Sequence, residues 1–162
     1  MSTNCKIAVV NEDGTVTAIW CHWDGYLDHC GPTLQEHYKN PTKIQELMSH
    51  GNLDSLGPEI GVQYDQPGLR EKLFSGPAKF FSSKLDKFMK TQCTFYIRDM
   101  KQPDNLAETH ESLSAFEACG ESYNYVFMDG EWWTDAFDDD APGMTGTWVT
   151  VERALESSEE GW

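Results

Sequence analysis

"CKIAVVNEDGTVTAIWCHW" (residues 5–23) decides how this chain folds. Two runs rich in β-branched and aromatic residues, 5–10 and 15–23, flank "NEDG", whose Asp13-Gly14 pair can take the positive φ angles of a tight hairpin. An antiparallel hairpin is therefore predicted at the start of the chain. Along its second strand Val16, Ala18, Trp20 and His22 point one way, and Thr17, Ile19, Cys21 and Trp23 the other. Both faces carry apolar groups, so the strand belongs inside a sheet rather than at its edge.

Outward from the hairpin, "GPTLQEHY" (31–38) sets Pro32 in a first helical turn with Leu34 and Tyr38 one turn apart. "NPTKIQELMSHG" (40–51) follows with Asn40 as cap, Ile44, Leu47 and Met48 on one face, and Gly51 as stop. "NLDSLGPEIGVQYDQPG" (52–68) reads as a connector because Gly and Pro punctuate it. Residues 77–90 place Phe81, Leu85, Phe88 and Met89 on one helical face with four lysines around the rest, a basic amphipathic helix within an insertion at 70–92. "QCTFYIRDM" (92–100) is predicted as a strand with Thr94, Tyr96 and Arg98 on one face. A helix over 111–120 stops at Gly120, a second hairpin over 123–134 turns at Asp129-Gly130, "TWVTV" (147–151) adds a strand, and the tail forms a short polar helix. Hairpins and helical excursions joining strands give a single α+β domain: an antiparallel or mixed sheet of five to six strands with helices mainly on one face. The segment 135–162 is an acidic loop and C-terminal extension.

The chain has 162 residues and a formal net charge of −15. That charge is uneven: residues 1–69 sum to −6, residues 70–101 to +5 and residues 102–162 to −14. An acidic surface repels phosphate backbones, so direct nucleic-acid binding is disfavoured and a basic partner is favoured, including one that itself binds nucleic acid. Five cysteines with no secretory leader ahead of them point to free thiols in a reducing cytoplasm. No apolar run has the length of a membrane span.

"CHWDGYLDHC" (21–30) has the composition of a metal site, with Cys21, His22, His29 and Cys30 as candidate ligands. Strand alternation sends Cys21 and His22 to opposite faces, so they cannot share one tetrahedral ion unless the strand breaks, and no metal or other cofactor is assigned. The remaining "HWDGY" offers an imidazole, an indole, a carboxylate and a phenol where a strand meets a helix, a place where binding groups gather. His22, Trp23, Asp24 and Tyr26 are therefore candidate ligand- or partner-binding residues. Tyr96, Arg98 and Asp99 of "YIRD" join them, because an arginine beside an aromatic can clamp a carboxylate or phosphate, although Arg98 can equally pair with Asp24, Asp28 or Asp99. Asp135, Asp138, Asp139 and Asp140 lack calcium-loop spacing and read as a solvated charge run. The chain carries no phosphate-binding loop, dinucleotide fingerprint, nucleophile elbow or zinc-protease motif, and is read as a non-enzyme.

In order, "IAVVNEDGTVTAIWCHWDGYLDHCGPTLQEHY", "KIQELMSHGNLDSLG", "YIRD" and "FEACGESYNYVFMDGEWW" resemble a family of small acidic proteins of tailed bacteriophages and prophages, of unassigned function. Its signature is an Ile-Tyr-Cys-His-Trp-Asp-Gly-Tyr core, and the likeness spans about residues 7 to 133. This chain departs from the pattern at Trp20, where the signature has Tyr, at Asn52, where it has Asp, and over Met100-Lys101-Gln102. The resemblance implies an accessory phage product in the host bacterial cytoplasm that binds and inhibits a host protein, an anti-defence or host-takeover role exercised through acidic nucleic-acid mimicry. A second expectation is a sponge that sequesters a nucleotide-like immune signal between residues 22–26 and Arg98. A metal-dependent enzyme ranks third. A homodimer through Trp132, Trp133 and Trp148 is a further expectation.

Overall fold

The computed structural model describes residues 3–61, 91–135 and 148–160, with side chains as far as residue 156. The basic helix predicted at 77–90 and the acidic loop at 138–140 lie outside the described residues. Among the described residues, one mixed sheet carries eight strands: β1 (Cys5–Val10), β2 (Val16–Cys21), β3 (Leu53–Ser55), β4 (Thr94–Phe95), β5 (Glu108–His110), β6 (Tyr123–Met128), β7 (Glu131–Thr134) and β8 (Val149–Thr150). Five helices accompany it among the same residues: α1 (Leu27–His37), α2 (Pro41–Ser49), α3 (Tyr96–Met100), α4 (Leu113–Glu117) and α5 (Val151–Glu160). The α+β class is as the sequence reads, but the sheet exceeds the five to six strands expected.

The strand order is β4-β3-β2-β1-β6-β7-β8, with β5 also pairing to β2. The opening hairpin forms as predicted: β1 and β2 are antiparallel from Cys5↔Cys21 to Val10↔Val16, and Gly14 turns the chain at φ 88°. On its other side β1 pairs in parallel with β6, which makes the first strand the middle of the sheet and the sheet mixed. The second hairpin turns at Asp129 and Gly130, both at positive φ, and joins β6 to β7. Mid-sheet strands must be apolar on both faces, and these are. Cys5, Ile7, Ile19 and Cys21 enter the main core with Leu34 and Tyr38 of α1 and its C-cap, Ile44 and Leu47 of α2, and Val151 and Ala154 of α5. Ala8, Val16, Ala18 and Val126 form a smaller cluster on the other side, covered by Phe116 of α4. Three of the five helices thus serve one face.

Three local readings change. "YIRDM" is the helix α3, not the end of a strand: β4 stops at Phe95, and Asp99 Oδ2 accepts the Phe95 backbone N–H at 2.8 Å, which folds the chain back on itself. Helix α1 begins at Leu27, ahead of the predicted start, so Pro32 lies inside it and Cys30 is buried on its inner side. Trp132 is a core residue whose indole N–H donates to the Tyr38 carbonyl at 2.7 Å, and the indoles of Trp133 and Trp148 donate to Met128 O and Glu117 Oε1. Packing therefore occupies Trp132, which the dimer expectation had placed on a surface.

Candidate functional site: an aromatic row at the end of β2

The outer edge of β2 is served in three different ways along its length. Residues Val16 to Ala18 pair with β5, while His22 N and Trp23 N donate to the carbonyls of Leu53 and Asp54. Between these stretches the Trp20 N–H would lack an acceptor, and Asn52 supplies one: its Oδ1 accepts that N–H at 2.9 Å. The Asn52 carbonyl accepts the Tyr96 N–H, and the Asn52 N–H donates to the Asn105 carbonyl. One asparagine thus ties β2, α3 and the 105 loop together.

This arrangement lines up four rings, starting from Trp20 on the sheet face that Ala18 and Val16 bury farther along; alternation had sent Trp23 to the opposite face, but β2 ends at Cys21 and Trp23 stacks on His22 instead. Trp20 stacks on His22 with centroids 5.4 Å apart and planes 17° apart, and on Tyr96 at 6.2 Å and 19°. His22 in turn stacks on Trp23 at 4.4 Å and 29°. Trp23 remains 43% exposed, whereas most large apolar side chains of the described residues are buried. A hydrogen-bonded triangle lies at the base of the row. The Tyr96 hydroxyl is 3.1 Å from His22 Nδ1 and 3.3 Å from Asp54 Oδ1, and Nδ1 is 3.4 Å from the same oxygen. If Nδ1 were unprotonated, its lone pair would face a carboxylate oxygen. Of the two neutral tautomers, the favoured one has Nδ1–H donating towards Tyr96 and Asp54 while the Tyr96 O–H donates to Asp54, and in that tautomer Nε2 is an acceptor. Burial first, and the Asp54 charge after it, push the Tyr96 phenol up to about 12, so it stays a neutral donor at physiological pH.

The structure sorts the predicted residues. It brings His22, Trp23 and Tyr96 together and gives His22 the carboxylate of Asp54 rather than that of Asp24. Asp24 makes the turn after β2: its φ is 57°, in the left-handed region that Asp tolerates. The role of Gly25, which follows, is spatial. A Cβ there would meet Cys5 Cβ at 2.7 Å and the Cys5 backbone N at 2.8 Å. Tyr26 caps α1 and its ring faces His29 at 6.1 Å, apart from the row.

Arg98 pairs with Asp99, one of the partners the sequence left open. Its Nε contacts both Asp99 oxygens, its Nη1 donates to the carbonyls of Ile60 and Gly61, and its Nη2 donates to Cys93 O and Asp99 Oδ2. All five guanidinium donors are engaged, and the group lies over the Phe95 ring. Cys21 and Cys30 sit in the main core with Cys5, and the Sγ atoms of Cys5 and Cys30 are 3.9 Å apart. Cys21 faces that core while His22 stacks in the row, so the four proposed ligands do not converge, and no group of three or more His, Cys, Asp or Glu able to hold a metal occurs among the described residues.

Trp20, Asn52 and Asp54 were not among the site residues the sequence suggested, although Trp20 and Asn52 stood out as departures from the signature. Alternation alone places Trp20 beside His22, a usable signal. Asn52 and Asp54 lie 32 residues from their partners in a stretch that reads as connector, with only a three-residue strand to mark it. Comparison with protein-family models, curated proteins and solved structures finds no match. Among the described residues, no helix is long and apolar enough to cross a membrane.

Proposed function

We propose that this protein is a phage-encoded, non-enzymatic accessory factor of the host bacterial cytoplasm that binds and inhibits a host protein through the Trp20–His22–Trp23–Tyr96 row. The observation that carries the reading is the row itself: four stacked rings, from Trp20 of β2 through His22 and Trp23 just beyond it and Tyr96 at the start of α3, ending in a half-exposed indole. Pre-ordered aromatics lose little entropy on docking and are over-represented among residues that dominate binding energy. The charge of −15 favours a basic partner, such as a nucleic-acid-binding protein whose groove an acidic surface can occupy. The sponge reading uses the same rings but needs Arg98 to hold a phosphate, and the engagement of all five Arg98 donors weighs against it.

A photo-crosslinking residue placed at position 23, compared with one at position 12 in the β1–β2 turn, tests the reading in bacterial cells. A discrete host protein captured from position 23 alone, and released from native protein by raised salt, is the expected result. Equal capture from both positions, or a host-growth phenotype unchanged by Trp23→Ala, would overturn it. Native mass spectrometry of the purified protein covers the sponge reading, which requires extra mass of a small molecule.

A further inference from the structure

The row has a polarity that narrows what it can receive. Each atom of the triangle has either spent its donor or offers an acceptor. Asp54 Oδ1 takes both the tyrosine and the imidazole, while Asp54 Oδ2 and His22 Nε2 make no hydrogen bond among the described residues. The side chains of Asp54 and His22 are both partly exposed. Around them lie the π faces of the stacked rings, whose quadrupoles attract cations. The cation predicted to serve this site, Arg98, is fully bonded within its own loop. Phosphate or carboxylate brought here would meet an uncompensated carboxylate on a chain of net charge −15.

We infer that the group recognised at this row is the guanidinium of an arginine on a basic partner protein, with Asp54 supplying the counter-charge and the exposed indole of Trp23 the stacking plane. The inference rests on the reading of the row as the contact surface. Guanidinium suits it better than ammonium for two reasons: it is planar and weakly hydrated, so it stacks on indole at low desolvation cost, and it presents several donors to a free carboxylate oxygen. A lysine satisfies the charge and forgoes the stacking.

The test is a titration of the whole protein, followed by the indole N–H signals in a two-dimensional NMR spectrum, with end-capped (Gly-Arg)4, (Gly-Lys)4 and ADP-ribose as probes at low and moderate salt. (Gly-Arg)4 should move the Trp20 and Trp23 signals, bind several-fold tighter than (Gly-Lys)4, and lose about tenfold in affinity in Asp54→Asn, which keeps the Tyr96 contact. Trp23→Ala, at an exposed ring, should weaken the arginine peptide while leaving the other indole signals in place. Equal affinity for the two peptides, or ADP-ribose binding at the row that Asp54→Asn preserves or improves, would overturn the guanidinium assignment. If position 23 still crosslinks a host protein in that case, the contact-surface reading survives and only the assignment falls. If neither the crosslink nor the peptide response appears, both fall.

Discussion

Cys21 and His22 are neighbours in the chain and belong to different worlds. Cys21 is 1% exposed, and its thiol is held well above the usual thiol range by its hydrogen bond to Cys5 and by burial, so it packs as a small hydrophobe. His22, one residue on, stacks in the row, and its Nε2 makes no hydrogen bond among the described residues. The difference comes from what covers each face. Among the described residues, three helices close the main core over Cys21, whereas α4 covers the opposite face over Val16 and Ala18, and the strand continues past that cover. A strand whose faces are unequally covered becomes core on one side and carries a partly exposed row of rings on the other.

Breaking the covered side should be costly. Arg98→Ala removes the partner of Asp99, whose side chain is fully buried, and is expected to cost about 4 kcal/mol in denaturant unfolding, since a stranded buried charge is among the most destabilising changes. If Arg98 were instead a ligand clamp with spare donors, stability would change little and binding would vanish. Leu34→Ala, at a fully buried position of α1, should cost about 3 kcal/mol by the same assay. Asn52→Ala sits on the boundary between the two sides. It leaves the Trp20 N–H without its acceptor, with an expected loss of about 2 kcal/mol and visible shifts of the Trp20 and His22 NMR signals.

A smaller effect is expected from His50, whose ring packs on Phe95. Burial, and then the nearby Arg98 charge, hold its pKa below the ordinary histidine value, against weaker opposing pulls from Glu46 and Asp99. The unfolded chain therefore binds its proton more readily, and the stability associated with a neutral His50 is present above the unfolded pKa of about 6.5 and lost as pH falls through the lower folded value. Unfolding curves between pH 7 and pH 5 should show this slope, and His50→Gln should flatten it. The smallest change in stability belongs to Trp23→Ala, within about 0.5 kcal/mol, because the ring is half in solvent. A large loss there would make the row structural and erase the contrast between the two faces.

The second hairpin and the capped helix α2 were as legible as the first, because each announces itself within a dozen residues through turn chemistry or a cap. Asn40 accepts the Thr42 N–H at 2.8 Å, as its place before Pro41 suggested. "YIRDM" misled because a five-residue helix held by Asp99 leaves no period to read, and its aromatic and β-branched start looks like a strand. β3 and β5, three residues each, were invisible for the same reason.

By itself the sequence determined the hairpin, its interior position and the sorting of Cys21 from His22, since each follows from turn residues and the two-residue period of a strand. Only the tertiary structure decided that Asp54 and Tyr96, 32 and 74 residues away from His22, would meet its ring, and that Arg98 would be spent on Asp99. Those outcomes depend on which short strands pair along the outer edge of β2, and pairing over such separations is set by how the whole core closes, not by any local pattern.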